Sequence, residues 1–249
     1  MRISIVLPIY NEIKNLQKGV LDKIINYARN NKSILEIVMV DDGSTDESIP
    51  IIESEYIGKY PKLRLVKKNH SGKAYTVIEG IRQSKGDYVL FSDIDLATPI
   101  EESDKFVTAA LNNYDIAIGS RGSVREGAPI ARKILAYGFI KIRSFLIGLK
   151  GIRDTQCGFK LFKRDLAIKI INNLRVFGKE HAIKGSSVSA GFDLEFLFLA
   201  AKFNANIIEI PVMWRHVETR NVNFVKDAVE TLIDIARIKY YELRGKYSA

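Results

Sequence analysis

One cysteine, Cys157, is the chain's whole supply across 249 residues, so no intramolecular disulfide can form and nothing calls for an oxidising compartment. Histidine is almost as scarce: His70, His181 and His216 are scattered without metal-ligand spacing, and with a single thiol they give no zinc-type site. Long apolar runs are missing too, none approaching the ~18 residues of a spanning helix. The opening run Ile3 to Leu7 is too short for a signal-peptide core and stops at Pro8, while the stretch Ile134 to Leu149 is interrupted by Lys141 and Arg143. The chain is therefore expected not to cross a membrane by itself and to face the cytosol.

Two phosphate-binding signatures are absent as well. No G-x-G-x-x-G follows the first apolar run, which disfavours a nicotinamide or flavin Rossmann enzyme, and no G-x-x-x-x-G-K-[ST] loop occurs. Any bound phosphate must be held in another way. With no internal repeat, low-complexity tract or linker, and 47% hydrophobic residues, the simplest division is a single domain over residues 1–249.

Positive charge is what the chain has in excess: 38 Lys and Arg stand against 29 Asp and Glu, a formal net charge of +9. Such a balance suggests an anionic partner, whether nucleic acid, a phosphorylated substrate or an anionic membrane surface, and charge alone does not rank the three.

Short β-branched runs alternate with helix-period segments from the first residue to about position 119, the pattern of a mostly parallel α/β sheet flanked by helices. Strands are expected at Ile3–Leu7, Leu35–Val40, Leu63–Val66, Tyr88–Ser92, Ile116–Ile118 and Ile207–Val212. One helix is expected through Ile13, Leu16, Val20, Ile24 and Tyr27, whose spacing makes a single apolar face. Another should start at Thr98, with Pro99 in the first helical position and Glu101 completing a capping box. Beyond Arg121 the alternation loosens into a basic loop, a long helical stretch, a Gly-rich segment from Gly151 to Phe162, a helix near Phe192 to Phe203 and a terminal helix from about Asn223 to Leu243.

Open α/β sheets bind ligands outside the carboxyl ends of their strands. Four such ends carry polar groups: Pro8 to Glu12, Asp41 to Ser44, Lys67 to Lys73, and Asp93-Ile94-Asp95. Tyr10 can stack on a base, Glu12 and Asp42 can accept hydrogen bonds from base or ribose, and Asp93 and Asp95 supply the hard oxygens that Mg2+ or Mn2+ prefers beside a diphosphate. A lone acidic strand end can equally be a helix cap, and a turn can use both members of an Asp-x-Asp pair that way.

Taken together, Pro8-x-Tyr10-Asn11-Glu12, Asp41-Asp42-Gly43-Ser44, Asp93-Ile94-Asp95, Gly119-Ser120-Arg121 and Asp154 through Phe162 resemble family 2 glycosyltransferases of the GT-A fold, in particular the dolichyl-phosphate β-glucosyltransferase branch. The resemblance covers nearly the whole chain. It implies an inverting transfer of a sugar, glucose in that branch, from a uridine diphosphate donor to a polyprenyl phosphate, with a nucleotide-sugar half at 1–119 and an acceptor half with basic amphipathic helices at 120–249. By carry-over, Pro8, Tyr10, Glu12, Asp42 and Asp93 line the nucleotide, Asp95 with Asp93 binds Mg2+ or Mn2+, and Gly72 and Lys73 approach the donor. Arg121, with Arg132 or Lys133, holds the acceptor phosphate, and Asp154 orients these cations. Mannosyl relatives carry Gln two residues after the second Asp where this chain has Ala97, which favours the glucosyl branch. A membrane surface or membrane partner protein is implied, reached peripherally from the cytoplasmic face, and no nucleic acid is expected.

Three alternatives stay open, one of them a catalytically silent sugar-nucleotide sensor that binds donor with metal and shows no turnover. Were the acceptor a saccharide hydroxyl, a general base would be required and Asp193 is the candidate, although it can equally cap the helix that follows. A basic nucleic-acid-binding module would account for the charge but for none of the acidic strand ends.

Overall fold

The structure is a computed structural model and describes residues 1–121, 146–149, 151–178, 190–215 and 224–247. Seven strands form one sheet in the order β3-β2-β1-β4-β6-β5-β7. They are β1 (Ile3–Ile9), β2 (Ile34–Asp41), β3 (Leu63–Lys67), β4 (Tyr88–Ser92), β5 (Ile116–Ser120), β6 (Phe159–Lys163) and β7 (Ile207–Pro211). All neighbours pair in parallel except β6, which runs antiparallel to both β4 and β5. Because β6 reverses direction between two strands that share one, the carboxyl ends of the other six lie along one edge of the sheet.

Strand β1, third in the sheet order, is buried on both faces except at half-buried Pro8, as a strand covered by helices on either side requires, and its one polar side chain, Ser4, donates to Glu36 Oε1 at 2.7 Å. Ile3, Ile5, Leu7 and Ile9 pack into one layer with α1 (Ile13–Gln17), α2 (Val20–Asn30), α3 (Ser48–Glu55) and α5 (Ser103–Leu111). Val6 joins the opposite layer, formed with α4 (Lys73–Gln83), α6 (Arg164–Asn173), α7 (Ala190–Lys202) and α8 (Phe224–Leu243).

Several expectations change. The single helix through Ile13 to Tyr27 is two, divided at Gly19, whose φ of 68° lies in the left-handed region and turns the chain between α1 and α2. Thr98 caps no helix: it is buried, Pro99 sits at the cap position with extended ψ, and a 3-10 turn (Ile100–Glu102) leads into α5 with no side-chain cap bond. The Gly-rich segment from Gly151 to Phe162 runs into β6, the strand that closes the sheet between β4 and β5. The remaining strands occupy their expected places, several of them extended by a residue or two at one or both ends.

Candidate functional site

The loops after β1, β2 and β3 are tied to one another by side chains on their own motifs. Asn11, held at a positive φ of 55°, accepts hydrogen bonds from the Thr45 and Asp46 amides at 2.8 and 3.2 Å through Oδ1, while its own amide donates to Ser44 Oγ at 3.0 Å. The Glu12 amide donates to Ser48 Oγ at 2.8 Å, and the Glu12 carboxylate accepts from Asn15 Nδ2 at 2.6 Å. Pro8, half-buried near the end of β1, pairs with Val40. Tyr10 stacks on His70 with ring centroids 4.4 Å apart. Tyr10, expected to stack on a base, is thus itself stacked on a ring from the loop after β3.

Asp42 takes a different part from the one expected. Its two carboxylate oxygens accept from the Ser71 and Gly72 amides at 2.9 and 2.8 Å, with Lys68 Nζ at 3.3 Å and His70 Nδ1 at 2.8 Å, and the residue is 3% exposed. Rather than offering open acceptors to a base or ribose, Asp42 anchors the loop that delivers Lys73 at the start of α4. Its neighbour Asp41 closes a turn, accepting from the Ser44 amide at 2.9 Å.

After β4, Asp93 and Asp95 line a small cleft with Ala97, Thr98, Gly158 and Trp214. Lys73 Nζ lies 2.5 Å from Asp93 Oδ1. Burial alone would push the Lys73 ammonium down, but the Asp93 charge overrides it and holds Lys73 above its usual value, so it is a cation at neutral pH. Asp95 accepts from the Ala97 amide at 3.0 Å, and burial, then the like charge of Asp93, push its carboxyl up from the usual range. Gly158 is fixed by this arrangement: a Cβ there would stand 2.0 Å from Asp93 Oδ2, and its carbonyl accepts from the Asp93 amide at 3.2 Å.

Lys160, on β6 opposite Phe91, is 1% exposed and carries its charge into the same region. Its ammonium donates to the Cys157 carbonyl at 2.5 Å and lies 2.9 Å from Asp193 Oδ1. Lys73 and Lys160 both approach the Phe91 ring, at 5.4 and 5.8 Å from its centroid. Each of these lysines thus answers one carboxylate, Asp93 and Asp193 respectively, and stands near the same aromatic face. Burial pushes the Asp193 carboxyl up despite Lys160 and the more distant Lys73.

Arg121, just past β5, forms a bidentate pair with Asp154, Nε to Oδ2 at 2.7 Å and Nη2 to Oδ1 at 2.9 Å, and its amide also donates to Asp154 at 3.1 Å. Burial acts to raise the Asp154 carboxyl, but the hydrogen bonds and charge of Arg121 win and leave it below the ordinary carboxylate range. Glu209 on β7 fixes the Asp154 backbone in turn, accepting its amide at 2.8 Å. The guanidinium lies 5.9 Å from the Trp214 ring, which joins this pair to the cleft of Asp93 and Asp95.

The structure therefore brings Lys73, Asp93, Asp95, Arg121 and Asp154 to one edge, with Tyr10, Glu12 and the Asp42-anchored loop beside it. Arg132 and Lys133 lie outside the described residues, as does most of the stretch from Ile134 to Leu149. Sequence reasoning missed Lys160 and Trp214. Lys160 was visible only as part of a motif, since a lysine gives no sign from sequence that it lies in a strand interior; Trp214 is the chain's one tryptophan, directly after an expected strand end.

The donor chemistry of Asp93 and Asp95 suits Mg2+ or Mn2+: two carboxylates on one short loop, one of them destabilised by burial and by the other's charge, a condition that a cation relieves. Among the described residues no group of three or more His, Cys, Asp or Glu side chains forms a complete protein cage. Such an ion would need further oxygens from a ligand.

Residues 4–171 match the model of Glycosyl transferase family 2. Among curated proteins, the dolichyl-phosphate beta-glucosyltransferase of Dictyostelium discoideum is 33% identical, covering 98% of this chain and 75% of its own length. Its Saccharomyces cerevisiae counterpart is 32% identical over 98% and 76%, and the Homo sapiens one 33% identical over 87% and 68%. Among solved structures, glucosyl-3-phosphoglycerate synthase from Mycobacterium tuberculosis, in complex with Mn2+, uridine diphosphate and glucosyl-3-phosphoglycerate, superposes with a TM-score of 0.63 at 17% identity, covering 95% of this chain and 79% of that one. Mannosyl-3-phosphoglycerate synthase from Rubrobacter xylanophilus gives 0.62 at 14% identity over 100% and 76%. These two likenesses establish the fold, which is GT-A. With the acidic strand end, the Asp-x-Asp loop and the Arg121–Asp154 pair set on that fold, and with relatives named dolichyl-phosphate beta-glucosyltransferase over nearly its whole length, the chain belongs to glycosyl transferase family 2.

Proposed function

We propose that the protein moves glucose from uridine diphosphate glucose to a polyprenyl phosphate, with inversion at the anomeric carbon and with Mg2+ or Mn2+ held by Asp93 and Asp95. The observation that carries the proposal is the meeting, at one sheet edge, of an acid pair suited to a diphosphate-bound ion with the cations Lys73 and Arg121, suited to phosphate groups on either side of a transferred sugar. The names of the relatives supply the sugar and the lipid. Residues 1–119 would hold the donor and 120–249 the acceptor, with the protein peripheral on the cytoplasmic membrane face.

A phosphate acceptor is anionic at neutral pH, so its oxygen attacks the anomeric carbon without giving up a proton to the enzyme. The bond from that carbon to the diphosphate oxygen breaks, and its electron pair leaves with the nucleotide. Control of charge then matters more than basicity. A bound divalent ion supplies Lewis-acid neutralisation of the leaving diphosphate. Lys73, aimed by the Asp42-anchored loop, adds a cation on the donor side, and the Tyr10–His70 stack offers a face to the base. Arg121, held rigid by Asp154, orients the acceptor phosphate through charge-assisted hydrogen bonds.

The test is incubation with uridine and guanosine diphosphate sugars, either metal, and a short-chain polyprenyl phosphate, the unphosphorylated polyprenol or free sugars as acceptor, with products identified by mass. Glucose on the polyprenyl phosphate is expected. Equal transfer to the polyprenol, or transfer to a sugar hydroxyl alone, would replace this proposal with one in which Asp193, its carboxyl raised by burial, serves as base.

A further inference from the structure

Trp214, the chain's one tryptophan, is 40% exposed, yet the backbone that carries it is tied on both sides. The Val212 amide donates to the Ser120 carbonyl at 3.0 Å, next to Arg121, and the Arg215 amide donates to the Ala97 carbonyl at 2.8 Å, two residues past Asp95. The sheet beneath is closely packed: a Cβ at Gly119 would stand 2.9 Å from Cys157 Sγ, 3.0 Å from the Phe159 carbonyl oxygen and 3.4 Å from Val212 Cγ2. The indole is thus mounted on a rigid strand end without being buried in the core. A large aromatic ring held in that way is placed to meet a ligand rather than to fill the interior.

Its position indicates which part of the ligand it meets. The ring lines the cleft of Asp93 and Asp95 and lies 5.9 Å from the Arg121 guanidinium. In the proposed reaction the leaving diphosphate sits at the acid pair and the acceptor phosphate at Arg121, and the group that passes between them is a hexose. A ring that flanks both places flanks the sugar in transit.

The chemistry of the ring then selects among sugars. An indole face carries partial negative charge and attracts polarised C–H bonds. Glucose in its chair form keeps the hydroxyls at C2, C3 and C4 equatorial, so beyond the anomeric carbon both faces of the ring are C–H surface. Galactose differs in one axial hydroxyl, at C4. Pressed against an indole, that oxygen loses water and gains no partner. Discrimination by an apolar wall against a misplaced hydroxyl reaches about 100-fold.

We infer that Trp214 is the wall against which the transferred hexose stacks, and the residue that favours glucose over its C4 epimer. The inference rests on the donor side of the proposed function. As the sole tryptophan, Trp214 reports on the native chain by its own fluorescence, excited at the red edge where uridine does not absorb. With Mg2+ present and saturation fixed by calorimetry, uridine diphosphate glucose should shift the emission well beyond the effect of uridine diphosphate, and uridine diphosphate galactose should not. Trp214→Ala should lower the ratio of kcat/KM for the glucose donor to that for the galactose donor about tenfold or more, and Trp214→Phe should restore most of it. A ring with a structural role alone would depress both donors alike and leave the ratio where it was. Emission that answers equally to uridine diphosphate and to its glucose ester, or an unchanged ratio in Trp214→Ala, overturns the inference. So does a loss confined to KM for the polyprenyl phosphate, which would set the ring against the lipid instead. A chain that binds neither sugar nucleotide removes the donor assignment and the stacking wall together. Sugar-dependent emission with no product on polyprenyl phosphate would refute the proposed acceptor and leave the stacking wall standing.

Discussion

Replacing Lys160 by methionine keeps the length of the side chain and deletes its charge at a position 1% exposed. The carboxylate it leaves behind, Asp193, lies 2.9 Å from the ammonium and is itself 21% exposed at the side chain, and the Cys157 carbonyl loses its donor as well. Breaking a buried ion pair on one side costs about 3–5 kcal/mol, and the residual exposure of Asp193 places this case near about 3 kcal/mol at neutral pH. The pH dependence follows from the direction of the shift. Burial already raises the Asp193 carboxyl in the folded state, and loss of Lys160 raises it further. A folded carboxyl raised above its unfolded value takes up protons on folding, so stability falls as pH rises from the ordinary aspartate range through the folded value. The deficit of Lys160→Met should therefore be largest at neutral pH and shrink as falling pH puts a proton on Asp193. Urea titrations at both pH values measure it, and Lys160→Met with Asp193→Leu should recover much of the loss, because an apolar pair replaces a broken ionic one. A single variant as stable as the native chain at neutral pH, or a deficit that stays the same in acid and in the double variant, refutes the pairing.

Gly158→Ala should lower turnover by about 100-fold or more, since a shift of roughly 1 Å in a catalytic group is enough to do so and the new Cβ must displace the Asp93 carboxylate; donor kinetics set beside the melting temperature separate this from a folding defect. Asp95→Asn should cut turnover by several orders of magnitude and abolish Mn2+ binding seen by electron paramagnetic resonance, with folding intact; full activity in that variant or in excess chelator removes the metal from the mechanism. Arg121→Ala should impair use of the polyprenyl phosphate far more than binding of uridine diphosphate, read as kcat/KM for acceptor against a calorimetric Kd for nucleotide, and equal losses would move Arg121 to the donor side.

The acidic strand ends were legible because their context is local. Each lies immediately after a run of β-branched residues, and a parallel sheet puts every such end on the same edge. Hence Asp93, Asp95 and Lys73 meet at that edge. Arg121 and Asp154 were legible as residues but not as a bidentate pair, since their meeting needs β5, β6 and β7 in register, with Glu209 fixing the backbone at Asp154. Asp42 shows the limit from the other direction: nothing in Asp41-Asp42-Gly43-Ser44 tells that its carboxylate is consumed by amides nearly thirty residues away, at Ser71 and Gly72.

Lys160 was hidden for a more general reason. Periodicity identifies a strand through apolar alternation, and β6 reads Phe-Lys-Leu-Phe-Lys, in which a cation stands where a buried residue belongs. A lysine survives in a sheet interior only where a carboxylate and a carbonyl meet it, and both come from elsewhere: Asp193 from the first turn of α7 and the carbonyl from Cys157. The charge that hid β6 is thus the one that ties the second half of the chain to the cleft. Asp193 stands on α7, α7 rests on α8 through Gly191 and Asp234, and the face of α8 turned away from this contact carries the exposed Val229, Leu232 and Ile233. A chain of contacts therefore runs from the outer stripe of α8 to Lys160, and from there along Phe91 to Lys73 and the Asp-x-Asp loop, so that substitutions which loosen α8 from α7 should be felt at the donor site, whereas those on its outer stripe should not.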